Sequence, residues 1–288
     1  MWRWIIGAAL IAAIAFYTFF PTFNTANTPL LVVDMKNEEI LPRNFRILKD
    51  LQASGSAQFS ELSLQKIRNI LINNHTTIVD LRQESHGFLN GNAVSWYTDN
   101  NWANKGKSLE LIQEDEHRRL QQALNQKIIL IYFSRKFPYP LYVKDAATEQ
   151  LLTSSSGMGY KRLPVLDHTK PSDSIVDDFV DFIKHLSKNT WLHFHCAAGE
   201  GRTTTFLAMY DMMHNAQSAT WESIIEKQKN AGGINLLHLP NDWKHSLAVD
   251  RARFLKRFYE YCQQNPQFQI PWSTWSAQAA QAAVVSSQ

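Results

Sequence analysis

The chain has 288 residues and 33.1 kDa, enough for one large α/β domain with its own core. Hydrophobic residues make up 44% and charged residues 19%, a globular balance that excludes a disordered chain. A formal charge of +3 without Lys/Arg clusters argues against a nucleic-acid partner, and two cysteines, Cys196 and Cys262, exclude a disulfide framework.

After "MWRW" comes the uncharged run Ile5 to Phe20, "IIGAALIAAIAFYTFF", stopped by Pro21. It is long for the apolar part of a signal and short for a spanning helix. Residues 1–26 therefore read as a cleaved signal peptide or a retained membrane anchor. The expected location is outside the cytoplasm, either periplasmic or secreted, or held at the inner membrane by residues 2–20. Residues 27–39 read as a linker with one apolar run, "LLVVDM", residues 40–270 as the folded domain, and residues 271–288 as a flexible Ala/Ser/Gln-rich tail.

Within the domain, strand-like and helix-like segments alternate. "LSLQKIRNILINN" has helical period and "TTIVDLR", Thr76 to Arg82, is a β-branched run. "LELIQEDEHRRLQQALNQ" predicts an amphipathic helix, and "KIILIYF", Lys127 to Phe133, a strand covered on both faces. "RLPVLD" ends at Asp167, and Pro171, Ser172 and Asp173 signal the start of the next helix. "TWLHFHC" reads as a strand and "GRTTTFLAMYDMMHNA" as the helix after it. This alternation predicts an α/β fold with a central, largely parallel sheet and helices on both faces. Ligands in such folds bind beyond the carboxyl ends of strands.

The loop after His195 is the richest in chemistry. Backbone N–H groups of Ala197, Ala198, Gly199, Glu200 and Gly201, backed by the positive end of the following helix, would cradle a phosphate-sized anion. Arg202 adds a planar fork for two of the anion's oxygens. The same electrostatics favour the thiolate of Cys196, which makes it a nucleophile toward phosphorus. Thr203 is placed to hydrogen-bond the sulfur and ease its departure. Zinc is excluded at "HFHC", because His193 and His195 share one strand face while Cys196 points the other way.

"HCAAGEGRT", His195 to Thr203, resembles the H-C-x5-R-[ST] loop of the protein tyrosine phosphatase superfamily. The longer string "HFHCAAGEGRTTTFLAMYDMMHNA" is similar to its branch of protein tyrosine phosphatase-like inositol phosphatases, or cysteine phytases. "LPRNFR", "VDLRQESHGFLNG" and "LPVLDHTKPSD" support that branch, so the likeness spans roughly residues 40 to 262 and implies that 40–270 is a phosphatase domain.

The resemblance implies hydrolysis of inositol polyphosphates such as phytate through a cysteinyl-phosphate, without metal or cofactor, and a bacterial source. The only partner it implies is a small anionic phosphorylated substrate, with no nucleic acid and no membrane contact beyond the N-terminal segment. Asp167 matches the family's general acid on a movable loop, and His168 a residue that helps hold substrate. His195 is expected to order the loop by hydrogen bonding. Arg46, Arg82, His86 and Lys244 are candidates for a basic rim, and Lys244 is also placed to face water on its helix. Glu200 inside the loop would repel a polyphosphate unless it points away. Cys262 is most simply a packing residue. Two other functions remain open: a protein tyrosine, dual-specificity or phosphoinositide phosphatase, and a catalytically silent phosphate-binding module.

Overall fold

A computed structural model describes residues 29–71, 75–133, 135 and 137–286. The expected targeting segment, residues 1–26, lies outside the described residues. Among the described residues no helix is long and apolar enough to cross a membrane.

The strands are β1 (Leu30–Met35), β2 (Arg46–Leu48), β3 (Ala53–Ser56), β4 (His75–Arg82), β5 (His86–Leu89), β6 (Asn92–Tyr97), β7 (Ile128–Phe133), β8 (Phe137–Tyr142), β9 (Ala146–Ala147), β10 (Gly159–Val165) and β11 (Thr190–His195). The α-helices are α1 (Glu61–Ile70), α2 (Leu109–Gln126), α3 (Glu149–Ser155), α4 (Asp173–Lys184), α5 (Gly201–Asn215), α6 (Trp221–Asn230), α7 (His245–Gln264) and α8 (Trp272–Ser286). Ser60, Ser108, Thr148, Ser172 and Thr220 cap α1, α2, α3, α4 and α6, each accepting from a backbone N–H three residues on.

Two sheets form instead of the single one expected. The central sheet has the order β10-β4-β11-β3-β2 and is parallel except at β2. Leu192, Phe194 and Cys196 of β11 and the loop after it pack with Phe179 of α4, Phe206 and Met209 of α5, and Phe258 of α7 in the main core. Trp191 joins a smaller core on the opposite face, closed by Leu64 and Ile67 of α1 and by Phe88 and Ala93 of a second sheet. That sheet, ordered β8-β7-β1-β6-β5-β9, is mainly antiparallel, and α2 covers its outer face. Helices thus flank both faces of the central sheet, as expected, but on the Trp191 face α1 and α3 share the covering with the second sheet.

Three further expectations change. The supposed linker holds β1, an interior strand paired with β6 and β7. "KIILIYF" lies one strand from the edge of the second sheet, where Ile131 alone is fully buried and Ile128 is exposed. Its outer neighbour β8 carries Pro138 and Pro140 opposite Tyr132 and Leu130. The supposed flexible tail holds α8, anchored by buried Trp272 and Trp275. The Trp272 indole donates to Asp173 Oδ1 at 2.8 Å, and Ser273 N to Asp177 Oδ1 at 3.1 Å.

Candidate active site

The carboxyl ends of β3, β4, β10 and β11 converge on one edge of the central sheet. Beyond them lie Gln58, Glu84, Asp167 and Cys196.

The loop Ala197 to Glu200 is held from behind by its carbonyls. Gln58 N donates to Ala197 O at 3.4 Å, Asn44 Nδ2 to Ala198 O at 2.8 Å, and Arg46 Nη1 to Gly199 O at 2.9 Å. In a planar trans peptide the next N–H points opposite to the carbonyl. The amides of Ala198, Gly199 and Glu200 therefore turn away from these anchors and toward the cleft. Gly199 has φ 71°, and a Cβ there would lie 2.3 Å from Ala57 N and 2.4 Å from Ser56 C, so only glycine fits.

Cys196 is 3% exposed and accepts a hydrogen bond from Thr203 Oγ1 at 3.2 Å. Arg202 is clamped end-on by Glu84, with Nη1 to Oε2 at 2.6 Å and Nη2 to Oε1 at 2.9 Å. Its Nη1 also donates to Val165 O at 3.2 Å, and Nη2 lies 3.2 Å from Asp167 Oδ1. Among the described residues Nε has no acceptor. The side edge of the guanidinium, Nε with the outer Nη2 hydrogen, thus remains for a phosphate that competes with Asp167 for Nη2. Burial opposes the charge on Glu84, but Arg202 and Arg82 outweigh it and hold the carboxyl well below its usual range.

Asp167 follows β10. His168 N donates to its Oδ1 at 2.9 Å, Asn101 Nδ2 to its Oδ2 at 3.3 Å, and the Trp102 indole to its backbone oxygen at 2.9 Å. His168 is half-buried with its pKa lowered, first by desolvation, and its ring meets Trp243 edge-on at 5.1 Å.

Over Cys196 lies a cleft of about 350 Å³ lined by Asp167, His168, Ala198, Glu200, Lys244 and Arg251, among others. Asp167, His168, Ala198 and Lys244 also line an adjoining cleft of about 660 Å³ that reaches Arg43, Arg82, Arg135 and Trp243. Glu200 is exposed at this mouth.

The expected rim divides. Lys244, the residue placed at risk of facing water, lines both clefts. Arg46, Arg82 and His86 are 5%, 0% and 2% exposed; rim placement is corrected for Arg46 and His86, which line neither cleft. Arg46 ties Gly199 to Thr204, and burial lowers its pKa to about 10. Arg82 lines the larger cleft; its Nε and Nη1 donate to Glu84, Asp34 and Gln58, while Nη2 has no partner among the described residues.

His86 lies beneath the site with Asp80, Glu116 and Glu149 at 3.3, 3.4 and 3.3 Å. Burial opposes its charge, yet Asp80, the largest opposing influence, and Glu116 help push its pKa up to about 10. Asp80, His86 and Glu149 bring ligand atoms within 4.8 Å of one another. His195 also departs from expectation: its Nε2 donates to Glu149 Oε1 at 2.6 Å rather than to the loop, and its Nδ1 has no partner.

Sequence reasoning missed Glu84 as the clamp on Arg202, Glu149 behind His195, Asn101 and Trp102 at Asp167, and Arg251 in the cleft. Arg251 was findable. It stands seven residues after Lys244 on α7, on the same helical face. It is 9% exposed, its Nε has no partner, and Nη1 would lie 3.2 Å from a Cβ built on Gly201.

The family model of the PTP-like phytases, described by the words "Inositol hexakisphosphate", matches residues 79–214. A PTP-like phytase from Bdellovibrio bacteriovorus is 34% identical with a TM-score of 0.76, covering 89% of this chain and 99% of that one. The PTP-like myo-inositol phosphatase from Mitsuokella multacida, in complex with myo-inositol-(1,3,4,5)-tetrakisphosphate, is 33% identical with a TM-score of 0.83, covering 90% of this chain and 50% of that one. Effector protein hopD2 of Pseudomonas syringae pv. tomato is 30% identical over 247 residues, 81% of this chain and 53% of its own length. The chain thus spans about half the length of the last two.

Proposed function

We propose that this chain, which belongs to the PTP-like phytases, a family of cysteine-dependent phosphatases, hydrolyses phosphomonoesters of inositol polyphosphates through a cysteinyl-phosphate. The observation that carries this reading is the two-lobed cleft. A phosphate over Cys196 would leave the rest of a polyanionic ring in a lobe lined by Arg43, Arg135 and Lys244.

In this reading the amides of Ala198 to Glu200 and the side edge of Arg202 bind the phosphate, and the Cys196 thiolate attacks phosphorus. An S–P bond forms as the P–O bond to the leaving group breaks, and Asp167 gives its proton to the departing alkoxide oxygen. Asp167 then takes a proton from water, whose oxygen attacks phosphorus. Inorganic phosphate leaves, and the sulfur recovers its electron pair as a thiolate steadied by Thr203. No step needs a metal or cofactor. The apolar run Ile5 to Phe20 supports an exported or membrane-anchored form.

A second reading rests on the likeness to a protein named as an effector: the same chemistry directed at phosphotyrosine or phosphoinositides. The test is phosphate release by the full chain from inositol hexakisphosphate, p-nitrophenyl phosphate and a phosphotyrosine peptide in EDTA, beside Cys196→Ser. The first reading expects inositol phosphate to turn over fastest, a phosphate adduct on the Cys196 peptide in quenched reactions, and a loss of more than about 10³-fold in the variant. Turnover of the peptide alone transfers the assignment to the second reading. Absence of turnover leaves a phosphate-binding module.

A further inference from the structure

The loop that carries Asp167 is gripped from outside by the connection between β6 and α2, a segment of the second sheet. Asn101 donates to the carboxylate and Trp102 to the backbone oxygen of the same residue, at 3.3 and 2.9 Å. Main chain and side chain of Asp167 are thus fixed independently.

The grip is built into both backbones. Asn100, Asn101 and His168 have φ of 56°, 65° and 69°, the left-handed region that side-chain-bearing residues seldom occupy. Such conformations persist when their surroundings over-determine them, and they concentrate where a functional group must be held. Aromatic rings supply those surroundings: Trp102 meets Trp243 at 6.1 Å and 81°, and Trp243 meets His168 at 5.1 Å and 84°. Asn101 is 6% exposed, so water competes little for its amide.

We propose that Asn101 and Trp102 are positioning residues that hold the acid loop over Cys196. The inference rests on reading Asp167 as the general acid. A misplacement of about 1 Å in a reacting group can cost about 100-fold in rate, which sets the scale for losing one tether.

The test separates acid placement from general damage by using two leaving groups. An inositol alkoxide needs the proton, whereas p-nitrophenolate departs readily without it. In the full chain, Trp102→Phe keeps an aromatic ring at the position and deletes the indole N–H. It should lower kcat on inositol hexakisphosphate by about 10- to 100-fold with KM little changed, and lower kcat on p-nitrophenyl phosphate at least tenfold less. Asn101→Ala should do the same in smaller measure, and it carries the test if the Trp102 variant does not fold. Equal losses on both substrates, or no loss on either, overturn the proposal. Asp167→Asn run alongside keeps the two levels apart: if it too fails to discriminate between leaving groups, the general-acid reading falls first.

Discussion

The two sides of the cleft are built in different ways. The nucleophile side is a short continuous loop, Cys196 to Thr203, whose shape is set by its own backbone and by donors behind it from Asn44, Arg46 and Gln58. The acid side has one functional residue, Asp167, whose position depends on side chains from the connection that follows β6 of the second sheet. Damage to the nucleophile side should therefore slow every phosphomonoester alike. Damage to the acid side should slow only those with poor leaving groups.

The largest effect tests the first half of that contrast. Glu84→Ala leaves Arg82 and Arg202 without their shared carboxylate in the interior, which should cost about 3–5 kcal/mol of stability. Activity should fall by about 100-fold or more on both substrates, read by thermal melting and kcat. A loss on one substrate only would break the comparison. Asp167→Asn should show the converse, losing about 10²–10⁴-fold on inositol hexakisphosphate and much less on p-nitrophenyl phosphate.

Gly199→Ala adds strain of about 1–3 kcal/mol at a positive φ and forces the loop off Ser56 and Ala57. It should weaken phosphate inhibition and slow both substrates by about tenfold or more. Lys244→Met and Arg251→Met remove charge from the cleft lining without removing the nucleophile, its phosphate loop or the acid. Each should raise KM for the hexakisphosphate by about three- to tenfold, with less effect for p-nitrophenyl phosphate and a difference that fades in high salt.

A last effect, independent of the leaving group, is on stability against pH. His193 is fully buried between the hydroxyls of Ser54 and Ser56, at 2.9 and 3.0 Å, and burial foremost lowers its pKa to about 3. The unfolded chain binds that proton near 6.5 and the folded one does not, so this contribution to stability is lost as pH falls from 6.5 toward 3. His86 has the opposite sign. Its contribution is complete below 6.5 and is lost as pH rises toward about 10. Melting temperature should therefore decline on both flanks, with the acid flank shallower in His193→Gln and the alkaline flank shallower in His86→Gln.

The same contrast explains what could be read in advance. Cys196, Arg202, Thr203 and the loop glycines lie within eight consecutive residues, where spacing alone carries the chemistry, and the motif drew Asp167 with it. Glu84 carries no local signal of its role, because its partner Arg202 is 118 residues away. Asn101 and Trp102 meet Asp167 across 66 and 65 residues, a pairing that no local pattern encodes. The helix Leu109–Gln126 was legible to the residue because its period and cap are local. The second sheet was not, since short hairpin strands such as β5 and β6 and the isolated run of β1 acquire meaning only from one another. The C-terminal helix was hidden by its Ala/Ser/Gln composition, although Trp272 and Trp275 marked the face that anchors it.

The prolines of β8 bear on the life of the protein in a crowded solution. Alternate residues of a strand present their N–H groups to the same side, and Pro138 and Pro140 share that side. With β7 hydrogen-bonded along the inner edge, both fall on the outer rim of the sheet, where they offer no donor. Phe137, Tyr139 and Tyr142 leave this strand strongly apolar in character, 73%, 58% and 57% exposed, the profile of a site for self-association. An incoming strand would find two of its carbonyls unanswered, so the same short segment that advertises stickiness also denies another copy the ladder it would need to aggregate.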